Sequence, residues 1–224
     1  MATRLTIVVP VLNEAAGIGQ ALGALAPLRA RGHEVIVVDG GSSDGSAELA
    51  APLCDQLVRS PRGRAVQMNA GARLAHGDVL VFLHADTRLP EGADALIGDA
   101  LAASQWGRFD VRIASGRRLL RLVACAMNLR SRLTGIATGD QAIFVRRDAF
   151  AGFREIALME DIAFSRAMKR RSRPACLRAR VITSARRWEA NGVVRTILLM
   201  WRLRLLYALG IPPQRLAREY ADQR

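Results

Sequence analysis

Val79-Leu-Val-Phe-Leu-His-Ala-Asp-Thr87 decides how the chain is read. Its five leading apolar residues, rich in Val, Leu and Phe, read as a strand buried on both faces, as parallel strands are. Polarity begins abruptly at His84, so the strand delivers a histidine and the carboxylate of Asp86 to its carboxyl end. In open α/β sheets that end is where ligands bind. A carboxylate there suits a divalent cation that also grips a diphosphate, because Mg²⁺ takes one or two protein carboxylates together with substrate phosphates. The plainer reading gives Asp86 only the cap of a helix starting near Pro90-Glu91.

Upstream, Leu5–Val9 is a short apolar strand ended by Pro10. Ala15–Leu28 has helical periodicity with Asn13 as its cap, and Glu34–Val38 is a second strand. Two strands joined by a helix form a βαβ unit, and therefore a parallel sheet. A helix Ser46–Leu53 capped by Ser43 or Asp44, a strand Gln56–Val58 and a helix Ala65–Ala75 follow. Downstream the pattern is mixed. Ala93–Ala103 is helical and Phe109–Ile113 alternates as a strand. Gly116–Leu133 is an amphipathic helix: Leu119, Leu122, Val123, Ala126 and Leu129 form one face, and Arg117, Arg118, Arg121 and Arg130 the other. Ala142–Val145 and Ala175–Ile182 read as strands, with a helix Ile162–Lys169 between them. A helix Val193–Leu209 and a shorter one opened by Pro212-Pro213 close the chain. With no repeat and no linker, 1–224 is expected to be one domain.

Half of the 224 residues are apolar, a globular composition. Cys54, Cys125 and Cys176 are scattered and odd in number, which excludes a disulfide framework or zinc knuckle and fits a reducing cytosol. The apolar run after Arg4 lacks the long segment of a signal peptide, so a cytoplasmic location is expected. The net charge of +13 is uneven. Residues 1–112 hold 10 Lys/Arg against 12 Asp/Glu, whereas residues 113–224 hold 23 against 8. The second half is therefore expected to face an anionic partner.

Asp39 ends strand two, where an acid in a dinucleotide-binding fold would hold a ribose. The turn Pro10-Val-Leu-Asn-Glu14 contains no G-x-G-x-x-G, however, so a nicotinamide enzyme is excluded. Glu14, Asp39 and Asp86 remain as three acids at strand ends that a parallel sheet brings together. Glycines 40 and 41 let backbone approach a flat base closely.

Val8-Val-Pro-Val-Leu-Asn-Glu14, Val37-Val-Asp-Gly-Gly-Ser-Ser-Asp-Gly45 and Leu83-His-Ala-Asp-Thr87 resemble the three nucleotide-sugar motifs of family 2 glycosyltransferases. Gly139-Asp-Gln141 and Met159-Glu-Asp161 resemble that family's acceptor-side and catalytic-base motifs, so the likeness covers residues 4–190. It implies a GT-A-type α/β sandwich around a mostly parallel mixed sheet, with C-terminal amphipathic helices. Residues 1–112 would be the nucleotide-sugar half, 113–190 the acceptor and catalytic half, and 191–224 the basic helices. The resemblance places Pro10, Leu12, Glu14, Asp39, Gly41, Arg64, His84 and Ala85 around a donor of UDP or GDP type. Asp86 would hold Mg²⁺ or Mn²⁺. Asp161 would be the general base, with Glu160 raising its proton affinity by like-charge repulsion. The implied chemistry is single-sugar transfer to a hydroxyl with inversion.

Two departures stand out. His84 occupies a position where the family usually has Asp, which reduces an acid pair to one carboxylate. Ser184-Ala-Arg-Arg-Trp188 resembles the Q-x-x-R-W box of processive synthases but lacks its Gln; Arg187 and Trp188 would close over donor or acceptor. Arg195, Arg202 and Arg204 interrupt Val193–Leu209, which leaves it short of the roughly 20 apolar residues a membrane span needs. This helix and the basic Gly116–Leu133 helix fit either an anionic membrane interface, suiting a lipid-linked acceptor, or packing on the sheet or in a dimer. Nothing marks specific nucleic-acid binding. Rival functions are a non-catalytic sugar-nucleotide or membrane-surface module and, less favoured, a sugar-nucleotide pyrophosphorylase. The latter would carry a Gly-rich triphosphate loop after strand one, which Pro10–Glu14 is not.

Overall fold

A computed structural model describes residues 3–221, and within them eight strands join in one sheet. The strands are β1 (Leu5–Val11), β2 (Glu34–Asp39), β3 (Gln56–Arg59), β4 (Val79–Phe82), β5 (Thr87–Arg88), β6 (Trp106–Ala114), β7 (Ile143–Arg146) and β8 (Ala175–Ser184). Their spatial order is β3-β2-β1-β4-β7-β6-β8-β5. The first four are mutually parallel, β7 runs antiparallel between β4 and β6, and β6 pairs parallel with β8. The sheet is thus mixed, as the resemblance implied.

Alternation along the central strands makes a core on each face. Leu5, Ile7, Val9, Val35, Val37, Val79 and Val81 join one buried cluster; Val8, Ile36, Val38, Leu80 and Phe82 join the other. Ile18 and Leu22 of helix α1 (Ala15–Gly23) cover the first face. Helix α4 (Arg64–Leu74) covers the second so closely that a Cβ on Gly71 would lie 2.5 Å from Val8.

Several elements differ from expectation. Pro10 does not end β1. The even residues of β1 face β4, where pairing stops at Val8↔Phe82, so the absent N–H of Pro10 falls on a flank whose ladder has already ended. The helix expected over Ala15–Leu28 is split into α1 and α2 (Ala26–Ala30), because Pro27 would clash with the preceding turn and so opens a new helix. Asn13 does not cap α1; its φ of 55° turns it toward the loop after β2. Helix α3 (Ser46–Ala50) gives way to a 3₁₀ turn at Ala51–Leu53, again at a proline. Helix α5 (Ala93–Leu101) starts after Gly92 at φ 64°, so Asp86 does not cap it.

Helix α6 (Arg118–Thr134) reverses part of its expected amphipathicity. It buries Leu120, Val123 and Ala124, while Leu119, Leu122 and Leu129 are exposed and Arg130 is half-buried. The remaining helices are α7 (Glu160–Lys169), α8 (Arg186–Asn191), α9 (Val193–Ala208) and α10 (Pro213–Ala221). The periodicity gave no sign of β5 or α8.

Helix α6 is fastened to the sheet by a buried ion network. Arg108 on β6 is fully buried; it pairs with Asp110 and donates to the Asn128 carbonyl of α6. Arg132 of α6 completes the network with Asp110 at 2.7 Å and the Cys176 carbonyl at 2.9 Å. Removing one partner of a buried pair leaves an uncompensated charge. Asp110→Ala is therefore expected to lower unfolding free energy by about 3–5 kcal/mol in urea denaturation. A loss below about 1 kcal/mol would mean that water reaches Arg108.

Candidate active site

The carboxyl ends of β1 and β2 are held level by one side chain. Gln67, buried on α4, donates both amide protons, to the Val11 and Val38 carbonyls at 2.8 Å each. Gly40 fits because a Cβ there would lie 3.0 Å from that amide. Asp39, only 2% exposed, accepts from the Gly41 and Ser42 amides, and Gly41 needs its φ of 88° to present that N–H. Asn13 donates its amide to Ser42 Oγ and accepts from the Ser43 N–H. Asp44 accepts from the Ala15 N–H, which caps α1 from the neighbouring loop. The hydrogen bond from Ser46, then that from Ala15, holds the Asp44 carboxyl below its usual range. Pro10 and Leu12 flank this turn at the end of β1.

A second group forms where β4, the turn Gly139–Gln141 and the start of α7 meet. The ring of His84 places Nδ1 3.3 Å from Asp140, and its Nε2 is buried without a partner. Gly139 is obligatory, since a Cβ would collide with that ring. The Gly139 N–H donates to Asp161 at 3.0 Å, while the other Asp161 oxygen accepts from the Ile162 amide. Glu160, 5% exposed, lies 3.6 Å from the Arg64 guanidinium at the head of α4. Burial first, then the charge of Asp161, pushes the Glu160 carboxyl up. Desolvation works the same way on Asp140. There the His84 hydrogen bond and charge, with Arg64 and Arg187, prevail and hold the carboxyl at about 2, although nearly half of its side chain is open to solvent.

Backbone strain gathers at the same places. Among the described residues the non-glycine positions at positive φ are Asn13, Ala142 and Met159. They precede Glu14, follow Gln141 and precede Glu160, and such conformations cost roughly 1–3 kcal/mol each and persist where the surrounding structure over-determines them.

Other expected residues take mixed roles. Gln141 is fully buried and closes a capping box with Thr138. Arg187 stacks over Tyr220 at 4.4 Å, and Trp188 packs partly buried against the core. Ala85 is buried, whereas Asp86 is exposed, with Oδ1 accepting from the Thr87 hydroxyl at 3.2 Å. No group of three or more His, Cys, Asp or Glu poised for a metal exists among the described residues. Neither nitrogen of His84 is offered to a cation: one faces Asp140 and the other is sealed against Gly139. Asp86 alone fits a site of the Mg²⁺ type, where phosphates supply further ligands.

Arg64, His84, Gly139, Glu160 and Asp161, with Met68, Phe82, Ile143 and Phe153, line one small recess. A roomier concavity at Leu101–Gln105, Arg146, Asp148 and Arg171 lies at the amino ends of β4 and β6, away from these acids. Four residues had no role foreseen from the sequence. Gln67 sits on the buried stripe of α4, and Arg186 pairs with Glu14 at 2.7 Å across 172 residues. Arg130 and Arg204 feel the charge of Asp161.

Comparison with known proteins yields concordant matches. The sequence model of the family described as "Glycosyl transferase family 2" matches residues 6–155. A "PGL/p-HBAD biosynthesis glycosyltransferase" of Mycobacterium bovis (strain BCG) is 37% identical over 171 residues, 65% of this chain and 60% of that protein. The chain thus spans about 60% of the length of the curated relatives it matches first. Among solved structures, S. aureus TarS 1-349 in complex with UDP superposes with a TM-score of 0.66 at 19% identity, covering 81% of this chain and 60% of that one. The mannosyltransferase PcManGT of Pyrobaculum calidifontis, in complex with GDP-Man and Mn²⁺, gives 0.59 at 23%, covering 81% and 57%. The two structures share the fold with this chain.

Buried Glu160, beside Asp161, has a pH signature. A carboxyl whose folded pKa is raised binds its proton more tightly in the folded state, so it weakens the fold increasingly as pH rises through that pKa. Glu160→Gln should therefore raise the melting temperature more at pH 8 than at pH 4.5. The opposite trend would show that Glu160 is stabilised as an anion in its pair with Arg64.

Proposed function

Because the chain belongs to glycosyl transferase family 2, we propose that it moves a single sugar from a nucleoside diphosphate to an acceptor hydroxyl, inverting the anomeric carbon. The observation that carries this reading is the convergence of Asp161, Glu160, Arg64 and His84 on one recess beside the carboxyl ends of the parallel strands. The donor, of UDP or GDP type, lies along Pro10, Leu12, Glu14, Asp39, Gly41, Arg64, His84 and Ala85. Asp161, oriented by the Gly139 amide, accepts the proton of the acceptor hydroxyl. As the oxygen attacks the anomeric carbon, the bond to the diphosphate breaks and its electron pair leaves with the phosphate oxygen. Arg64 and Arg186 meet the charge that develops there. A divalent cation, Mg²⁺ or Mn²⁺, would be held by Asp86 and would supply further neutralisation of the diphosphate when bound. Gly139, Asp140 and Gln141 form the acceptor-side rim, flanked by Arg187 and Trp188.

The acceptor is proposed to be reached at an anionic membrane surface. No helix among the described residues is long and apolar enough to cross a membrane. Helix α6 instead exposes Leu119, Leu122, Leu129 and Leu133, and α9 exposes Val194, Leu198, Trp201, Leu205 and Leu209, at spacings of three, four and seven. Exposed Arg117, Arg118, Arg121, Arg195 and Arg202 accompany these stripes. A second copy would set cation against cation, whereas anionic headgroups complement them, and a lipid-linked acceptor suits that placement.

Asp161→Asn is expected to lower kcat/KM for sugar transfer by about 10²–10⁴-fold. The metal-dependent melting shift from UDP or GDP, about 2.7 kcal/mol at 100 Kd, should persist in that variant. Full turnover in the variant would remove Asp161 as base; nucleotide stabilisation without turnover in the wild type would make the chain a binding module. In sedimentation with phosphatidylcholine vesicles, adding phosphatidylglycerol should increase binding in a salt-sensitive way. The double variant Leu133→Glu/Trp201→Glu should lower it by about tenfold or more. Equal binding of wild type and variant would turn these stripes toward a protein partner.

A further inference from the structure

The two acids of the recess sit on the first turn of α7, and the two ends of that helix are anchored differently. Phe164 and Met168, further along α7, belong to the buried cluster on the α4 face of the sheet, where Phe164 meets Trp106 edge-on at 5.8 Å between ring centroids. Met159 and Ile162, which flank Glu160 and Asp161, do not join that cluster. They form a separate one with Leu203 of α9 and Leu216 of α10, both fully buried. Ile136, shortly ahead of Gly139 in the chain, packs against the same cluster. Both amides that hold Asp161 are therefore reached from it: that of Ile162 donates at 2.7 Å, and that of Gly139 at 3.0 Å.

Met159 is the strained member of the cluster. Its φ of 71° is a conformation that glycine adopts freely and a bulky residue only at a cost. A methionine there supplies what glycine lacks, a side chain that joins the C-terminal helices to the start of α7. Those helices are braced in turn. Arg202 of α9 pairs with Glu219 of α10 at 3.1 Å, and the Ile211 amide between them donates to the Leu206 carbonyl at 3.0 Å. Arg166 of α7 lies over the Tyr207 ring of α9, 5.4 Å from its centroid. Neither Leu203 nor Leu216 lines the recess, so their packing reaches Asp161 only through Met159 and Ile162. Close-packed interiors transmit such shifts, because a missing methylene has no neighbour to replace it.

We propose that Leu203 and Leu216 are positioning residues: through Met159 and Ile162 they hold the carboxylate of Asp161 against Gly139, where it meets the acceptor. The proposal rests on the assignment of Asp161 as base in sugar transfer, and it adds what keeps that base in place. The inner face of α9 does this work, while Leu198, Trp201 and Leu205 stay exposed, so the effect is measurable without a membrane.

The test compares Leu203→Ala, the volume-conserving Leu203→Met and Ile97→Ala in the full chain. Ile97 is equally buried but lies on α5 in the other face's cluster, so its truncation reports loss of core packing alone. Turnover is read from hydrolysis of UDP-GlcNAc and GDP-Man with Mn²⁺, water serving as acceptor. Hydrogen exchange at the Gly139 and Ile162 amides reads the hold on Asp161 independently of turnover. Leu203→Ala should lower kcat by about tenfold or more, while donor KM and the melting shift from UDP or GDP are retained. Exchange at both amides should quicken by about tenfold beyond what the global loss of stability accounts for. Leu203→Met should restore both readouts, and Ile97→Ala should lower the melting temperature without either change. Should Leu203→Ala fail to fold, Leu203→Val carries the comparison. Wild-type kcat in Leu203→Ala, an equal fall in Ile97→Ala, or a rise in donor KM alone would each overturn the proposal. Unchanged exchange in a chain that still turns donor over would sink the positioning role and leave the glycosyltransferase reading intact. Quickened exchange in a chain that turns over no UDP- or GDP-sugar would uphold the anchoring of α7 and sink that reading.

Discussion

Two backbone carbonyls at the ends of adjacent strands, and the one side-chain amide that bridges them, set the geometry of the cleft around β1 and β2. A buried carbonyl must be hydrogen-bonded, and at the strand ends, where the Val11 carbonyl already accepts from the Gly40 N–H, a side chain can add a second bond. Gln67 answers Val11 and Val38 together, which fixes where β1 and β2 stop relative to each other. The two loops that follow can then interlock. Asn13 reaches the Ser42 hydroxyl and the Ser43 backbone, Asp44 reaches the start of α1, and Asp39 folds its own loop back onto itself. A glutamine in a helix thereby shapes a cleft whose walls are strands and loops.

The other half is built on the opposite principle. Instead of polar groups that satisfy one another, it concentrates charge and strain. A buried acid beside another acid, a histidine nitrogen sealed without a partner and two non-glycine residues at positive φ all lie around the turn at Gly139 and the start of α7. None of these favours folding by itself. They persist because the Arg108–Asp110–Arg132 network, the two hydrophobic faces of the sheet and the aromatic group of Phe82, Phe150, Phe153 and Phe164 hold the backbone around them. Stability resides in the sheet, and charge and strain at its rim.

How far the sequence discloses this follows from the range of each interaction. Strand-end acids were legible because a burst of apolar residues ending on Asp39 or His84 is a local pattern, and a parallel sheet gathers such ends by topology. The same locality misled at Pro10, where only the staggered end of β4 explains why a proline is tolerated within a strand. It misled again on α6. Periodicity identified an amphipathic helix, but which face meets the sheet depends on β6 and β8; Leu122 turned outward and Arg130 partly inward. Pairs such as Glu14 with Arg186, far apart in sequence, leave no local trace. Gln67 could have been suspected as a polar residue on the buried stripe of a helix; β5, two residues long, could not.

The position of β7 carries a temporal consequence. It sits between β4 and β6 although it follows both in the chain, and β6 has β7 and β8 as its neighbours, both later still. During vectorial synthesis β1 to β4 can assemble as soon as they emerge. The strand Trp106–Ala114 must wait, with the arginine destined for full burial at position 108 hydrated and its hydrophobic residues uncovered. Only when residues 143–146 insert does the sheet gain its second half, and only when Arg186 emerges can it pair with Glu14. The nascent chain therefore passes through a stage with an open edge on β4 and an unpaired β6, the kind of surface that chaperones hold and that neighbouring chains can join.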